Sequence, residues 1–333
     1  MKRVHHVLPV ALSACLTLAG CTALPDHRAQ VLPPQTQYDA IITDNDGTLL
    51  SINQLASQLR SADVIVIGEY HGHHGAHLLQ SLLQSALYQQ RPQQVLTMEQ
   101  FALDDQNELD LYLAGKSGES ELIADADAWS NYTASYRPLV EFSKARSIPV
   151  IAANAPADTV RCIGRSGADY LDSLAPAARS RLPEAPFVDT PAYREKFFDT
   201  LGAGHGSSAP NARLENSYKA QLLRDNTMAD HVSKALRDYP DHQVIHLTGT
   251  FHAEHRLGMV AVLEKKHPDL SVAVVSPAFW HSGDKLDSLI QTHQGKGDFL
   301  YFLQPLPREY TDNERHRNAI MDQFRQAADI SCD

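Results

Sequence analysis

The chain carries four cysteines, and none of them forms a Cys-x-x-Cys pair. That excludes zinc ribbons, thioredoxin-type dithiols and covalent attachment through Cys-x-x-Cys-His. No Walker loop, no Gly-x-Ser-x-Gly elbow and no His-Glu-x-x-His is present. His252-Ala-Glu-His255 lacks the one-turn spacing that places two imidazoles on one helical face. Basic charge is scarce: 29 Lys and Arg stand against 40 Asp and Glu, a net charge of -11. A nucleic-acid partner needs a basic face to replace counterions, so nucleic acid is excluded as a partner. No apolar run reaches the roughly 20 residues that span a bilayer.

What is present begins at the N-terminus. Lys2-Arg3 precedes the apolar stretch Val7–Leu18, and Ala19-Gly20-Cys21 follows. A positive start, a short apolar segment and small residues before a cleavage point describe a secretory signal over residues 1–20. Leu18-Ala-Gly-Cys21 resembles a bacterial lipobox, which makes Cys21 the lipidated (palmitate-carrying) first residue of a lipoprotein. Thr22 rather than Asp follows, which by resemblance to Gram-negative sorting rules favours the outer membrane, facing the periplasm. Residues 21–37, with Pro and Gln, read as a flexible tether, and 38–333 as a single domain. Of the remaining cysteines, Cys162 and Cys332 are expected to pair in an oxidising compartment; two unpaired thiols are the alternative.

At 43% hydrophobic and 21% charged residues, 333 residues bury a sizeable core. Apolar runs at Val64–Ile67, Val95–Met98, Pro149–Ala152, Val244–Leu247, Val272–Val275 and Phe299–Leu303 read as buried strands. Helix-period segments lie between many of them, at His77–Gln90, Gln106–Ala114, Leu139–Ala145, Leu214–Leu236 and Leu257–Lys266. This alternation implies an α/β fold with a largely parallel central sheet flanked by helices. Residues 163–213, rich in Pro, Ala and Gly, read as a helical insertion with irregular loops. Ala40-Ile-Ile-Thr-Asp-Asn-Asp-Gly-Thr-Leu49 matches the nucleophile motif of haloacid-dehalogenase-type phosphatases. Asp-Gly between apolar pairs is also a hairpin signal. With Pro277–Ser282 read as loop, no strand leads to the partner acidic motif, and a small N-terminal hairpin is the preferred reading.

Val64-Ile-Val-Ile-Gly-Glu-Tyr-His71 and Val244-Ile-His-Leu-Thr-Gly-Thr-Phe-His252 each give an apolar strand and then Gly-x-x-His. Such units bring His71 and His252 to the carboxyl edge of one sheet, where open α/β sheets bind ligands. Glu69 stands two before His71 and so shares its face. Glu99 ends another strand, and Asn154 follows a fourth. Imidazole and carboxylate together suit a divalent metal, with Glu69, His71, Glu99 and His252 as ligands, or general-base chemistry. His77 and Gln80 extend the set on the next helix, while His73 and His74 on the Gly-flanked loop are expected to be solvated.

At these residues the sequence resembles the ChaN family of haem-binding lipoproteins, in a superfamily with TraB, Tiki and the erythromycin esterases. The resemblance covers most of residues 38–305. It rests on Gly68-Glu-Tyr-His71 with His77-x-x-Gln80, and on Met98-Glu99-Gln-Phe with Gln106-x-x-Leu-Asp110. Trp129-x-x-Tyr132-x-x-x-Tyr136-Arg-Pro-Leu and Ile148–Pro156 continue it, followed by Tyr218-x-x-Gln221-x-x-x-Asp225 and Gly249-x-x-His252.

The resemblance implies ferric haem held non-covalently, a role in haem and iron acquisition, and a link to outer-membrane haem-uptake machinery. It also implies a pocket built by Glu69, His71, Glu99, Asn154 and His252. Phenolate suits ferric iron, so tyrosine ligation is expected from Tyr132, Tyr136 or Tyr218, with His71, His77 and His252 as alternative ligands or propionate donors. Packing of Tyr132 and Tyr136 on a helix with Trp129 is the competing reading of those two residues. Arg137 is expected to pair with a haem propionate, and two protomers sandwiching haem would form a homodimer. The alternative is a metal-dependent hydrolase of ester or peptide bonds using Glu69, His71, Glu99 and His252.

Overall fold

Runs of β-branched residues without alternation build the centre of the molecule. Residues 31–202, 212–328 and 332 are described by the computed structural model. The expected signal peptide, Cys21 and the start of the tether lie outside the described residues. Eight described strands form one sheet: β1 Ile41–Asp44, β2 Leu49–Leu50, β3 Val64–Glu69, β4 Gln94–Ala102, β5 Val150–Asn154, β6 Gln243–Gly249, β7 Val272–Phe279 and β8 Phe299–Leu303. Their order is β2-β1-β8-β7-β3-β6-β4-β5. From β8 to β5 every pairing is parallel, and β1 and β2 add an antiparallel edge. The largely parallel α/β fold with an N-terminal hairpin is therefore as expected from sequence.

The helices are α1 Ile52–Leu59, α2 His74–Gln90, α3 Gln106–Leu113, α4 Glu119–Asp125, α5 Tyr132–Ser135, α6 Arg137–Ala145, α7 Ala157–Ser166, α8 Pro176–Arg179, α9 Pro191–Gly202, α10 Ala212–Asp238, α11 Met259–Lys266, α12 Leu286–His293 and α13 Asn313–Ala328. Every residue of β3 and β6 is buried, because helices cover both faces. On one face Leu55, Leu83, Leu109 and Leu139 pack with Ile65, Ile67, Leu96 and Leu247. On the other, Met228, Val232, Met259 and Leu263 pack with Val64, Val66, Val95 and Val274. Leu83 is fully buried, so Leu83→Ala is expected to cost about 2–5 kcal/mol through the cavity it leaves. A urea midpoint at unchanged slope measures this.

Several expectations are corrected. Pro277–Phe279 belongs to β7 rather than to a loop. The β7 ladder with β3 ends at Val275, so the N–H that Pro277 lacks is not required there. Asp44 closes the hairpin, its Oδ1 accepting from the N–H groups of Asp46 and Thr48 at 3.0 and 2.8 Å. It ends β1, the strand next to the sheet's antiparallel edge, away from the site described below. His73 is buried, not solvated: Nδ1 accepts from Gly75 N–H at 3.1 Å, capping α2, and Nε2 lies 2.7 Å from the Gln304 carbonyl. The tether ends before residue 37, since Gln37 bonds to Gln304 and Pro305, and Gln304 to the Pro34 carbonyl. The chain from Pro33 onward is one compact unit.

Within the stretch read as an insertion, α8, α9 and a short 3-10 turn alternate with loops. Leu171, Leu182 and Phe187 there pack on Ile163 and Leu223. A disulfide joins Cys162 in α7 to Cys332. No described helix is long and apolar enough to cross a membrane.

Candidate functional site

β3 and β6 are neighbours in parallel register, with Glu69 beside Gly249. The two Gly-x-x-His units therefore end side by side, offset by one residue. Pairing of β4 with β6 stops at Met98, and a bulge follows before Ala102. That irregularity turns Glu99 inward beneath Gly249.

Glu69 is buried and surrounded by donors. Its Oε1 is 2.7 Å from His71 Nδ1 and accepts from Tyr136 Oη at 2.6 Å and Gln100 Nε2 at 3.2 Å. Its Oε2 accepts from Gln80 Nε2 at 2.6 Å. Burial opposes ionisation, but His71, His77 and Tyr136 hold the carboxyl below its ordinary range. His77 Nε2 accepts from Gly72 N–H at 3.1 Å, so Nδ1 carries the proton and donates to Gln80 Oε1 at 3.0 Å. Both nitrogens of His77 are thus committed, and the side chain braces Gln80 against Glu69.

His71 differs from the other members, because its side chain is 45% exposed. Nδ1 faces Glu69 while Nε2 makes no hydrogen bond to a described residue, and the ring edges onto Trp129 at 5.0 Å. Desolvation pulls the imidazole pKa down, yet the Glu69 hydrogen bond and the charges of Glu99 and Glu69 lift it above its ordinary value. A Cβ on Gly249 would stand 2.8 Å from His71 Nε2, so only glycine leaves that ring its place.

A second cluster adjoins the first. Glu99 Oε2 accepts from Thr248 Oγ1 and Gly249 N–H, each at 2.7 Å, and Oε1 lies 3.5 Å from His252 Nε2. Burial raises the Glu99 pKa, but His252, His71 and these donors bring it down to about 2. His252 Nδ1 is 2.8 Å from Asp225 Oδ1, and Asp225 Oδ2 accepts from Tyr193 Oη at 2.7 Å. Burial lowers the His252 pKa, and Asp225 and Glu99 outweigh it and raise it. Asn154 Nδ2 donates to the Glu99 carbonyl at 3.0 Å. Among the described residues no three His, Cys, Asp or Glu side chains converge so as to hold a metal ion. Glu69, His71, Glu99 and His252 pair off instead.

Glu69, His71 and His252 open onto a cavity of about 420 Å3, with Gln221 also on its polar side and Tyr70, Phe197 and Phe251 among its apolar lining. Glu99 and Asn154, expected in the same pocket, line a neighbouring cavity instead. None of the candidate tyrosines lines the first cavity. Tyr136 is fully buried and spends its hydroxyl on Glu69, and burial and that carboxylate push its pKa up. Tyr218, also buried, donates to Asp189. Tyr132 is buried edge-on to Phe101, its hydroxyl without a partner among the described residues. Tyr136 packs against Trp129, as the packing reading held. Arg137 is already paired with Glu119 and does not line the cavity, so the propionate role expected of it lacks a free guanidinium.

Asp225, Gln221 and Tyr193 escaped selection from sequence as site residues. Gln221 and Asp225, four apart on α10, share a helical face, and that spacing was the available signal. Nothing local marks Tyr193.

A family model described as haem-binding uptake, Tiki superfamily, ChaN matches residues 55–263. Among solved structures, one of cofacial haem binding to ChaN of Campylobacter jejuni aligns with a TM-score of 0.58 at 18% identity, over 82% of this chain and all of that one. At that identity the likeness establishes the fold. An erythromycin esterase in its open conformation aligns with a TM-score of 0.45 at 14% identity, over 85% and 87% of the two chains. A Bacillus cereus protein gives 0.46 at 12%, over 80% and 95%. No curated protein matches the chain. With the model spanning well over half its length, the chain belongs to the ChaN family of haem-binding uptake proteins in the Tiki superfamily.

Proposed function

We propose that this protein holds ferric haem non-covalently in the cavity at the sheet's carboxyl edge, with His71 as the iron ligand. One observation carries the reading: His71 is an exposed imidazole with an uncommitted Nε2, on the wall of a cavity with three aromatic lining residues. The cavity lies within the range that buries most of a small organic ligand. A carboxylate on Nδ1 fixes the tautomer and makes Nε2 a better donor, as in carboxylate–histidine–metal arrangements. Bound iron would supply a Lewis-acidic centre that this nitrogen satisfies. The protein's own contribution is to orient His71 through Glu69, Gln80 and Tyr136 and to cover one haem face with aromatic side chains.

On this reading the protein takes part in haem and iron acquisition as a carrier. Lipid on Cys21 would tether it to the outer membrane facing the periplasm, within reach of haem-uptake machinery. A second copy would cover the other haem face. Haemin titration tests the proposal: a shifted, saturable Soret band with a rise in molar mass on sedimentation is expected. Unshifted haemin spectra throughout would refute it. Gly249→Ala is expected to lower haem affinity about tenfold, since the new methyl displaces His71 by its Nε2.

A second reading rests on the Asp225–His252–Glu99 array. An imidazole oriented by one carboxylate and facing another has the form of a general base for ester or peptide hydrolysis. The metal-dependent version draws no support from the donor geometry. Turnover of model esters that disappears in His252→Ala would establish this activity.

A further inference from the structure

A second cavity, of about 360 Å3, lies behind the first. The two share a wall one side chain thick, and its solvent-side end is the exposed His71 against the half-buried Trp129. On the far wall Glu99, Gln100 and Trp129 face the second cavity, and they touch His252, Glu69 and His71 respectively, which line the first. The inner surface of the second cavity is polar and incompletely partnered. Asn154 and Gln100 are each 4% exposed, and the amide oxygen of each lacks a hydrogen-bond partner among the described residues.

Arg224 is the cation of this inner surface. It projects from α10 one residue before Asp225, so the same helix turn serves both cavities. Unlike Arg137, Arg194 and Arg256, each held by a carboxylate, Arg224 has neither a hydrogen bond nor an ion pair with a described residue. A guanidinium carries five donors in a fixed fork, and leaving it half-buried and unmatched is costly unless an anion or water completes it. Of the acidic residues on the wall, Asp105 accepts the Ala102 N–H at 2.8 Å and Asp158 faces the exposed Arg161 at 3.5 Å. Asp104 and Asp127 stand exposed at the rim. Glu99 is the inner carboxylate, and its Oε2 is already taken by Thr248 and Gly249.

We infer that Arg224 is the anchor for a carboxylate of the bound ligand, reaching from the aromatic cavity past His71 and Trp129 into the polar one. This rests on the haem reading and adds to it which residue recognises the macrocycle's acidic edge. Two probes differing only in that edge decide it: haemin, and haemin dimethyl ester, whose carboxylates are blocked. Wild type is expected to bind haemin at least tenfold more tightly than the ester. Arg224→Gln should erase that preference by weakening haemin alone, and Arg224→Lys should keep part of it. Ala157→Glu tests the same point without touching the buried network, since Ala157 is an exposed residue on the cavity wall. The added carboxylate is expected to weaken haemin and leave the ester unchanged. Equal binding of both probes by wild type, or equal weakening of both in Arg224→Gln and Ala157→Glu, would overturn the assignment while leaving haem binding intact. Binding of neither probe by wild type would instead remove the haem reading itself.

Discussion

His71→Ala is expected to lower haem affinity about a hundredfold, close to 2.7 kcal/mol, with little change in stability. The small stability effect follows from position. The His71 side chain is 45% exposed, and its removal still leaves Tyr136 and Gln100 donating to Glu69 Oε1. Loss of one half-exposed hydrogen bond of this kind costs about 0.5–1.5 kcal/mol. The large binding effect follows because His71 is the exposed imidazole of the cavity whose outer nitrogen is uncommitted. Protonation of that nitrogen competes with iron. Since Glu69 and Glu99 raise the His71 pKa above 6.5, haem affinity should fall as pH drops through that raised value, about tenfold per unit below it. Titrations across this range in wild type and variant measure both effects. Equal affinity in His71→Ala would place the ligand elsewhere.

Glu69→Ala is expected to be among the most destabilising single changes in the chain, at about 3–5 kcal/mol, because it leaves several buried donors without an acceptor. Four donors lose their acceptor at once: His71, Tyr136, Gln100 and Gln80. His77 then braces nothing. The pH profile of stability reports the same network. Glu69 and Glu99 have lowered pKa values, so their contribution is complete above about 4.5 and is lost as pH falls through the lowered values, for Glu99 towards about 2. His71 and His252 have raised values, so theirs is complete below 6.5 and is lost as pH rises through the raised values. Urea midpoints should therefore peak between about pH 4.5 and 6.5. In Glu69→Ala both limbs should flatten, because His71 loses the partner that raised it. A variant as stable as wild type at pH 6 would show the carboxylate network to be dispensable.

How far the sequence could be read depended on whether the signal was local. β3 and β6 announce themselves as Val and Ile runs, since a strand covered on both faces has no polar alternation to disguise it. The matching Gly-x-x-His endings of those strands place His71 and His252 together, which parallel pairing of β3 and β6 brings about. Tyr136 shows where such reading stops. Its chemistry suits ferric iron, but whether a phenol faces a cavity or a buried carboxylate depends on α2 and β3, which its own segment does not encode. His73 misled for a related reason: glycine neighbours suggest solvent, whereas the imidazole caps α2 and reaches the chain beyond β8. Arg137 and Arg224 are alike in sequence, and only the fold gives one a glutamate and the other an empty-handed position beside Glu99. Pro277 read as loop because a strand proline is tolerated only where one ladder has already ended, and register is not visible locally.

The most direct measurement is electron paramagnetic resonance of the ferric haem complex, made with protein carrying 15N-labelled histidine. Hyperfine coupling from one imidazole nitrogen is expected, unchanged in Tyr136→Phe and absent in His71→Ala. A complex without histidine coupling, whose spectrum survives His71→Ala and is lost on changing a tyrosine, would contradict His71 ligation.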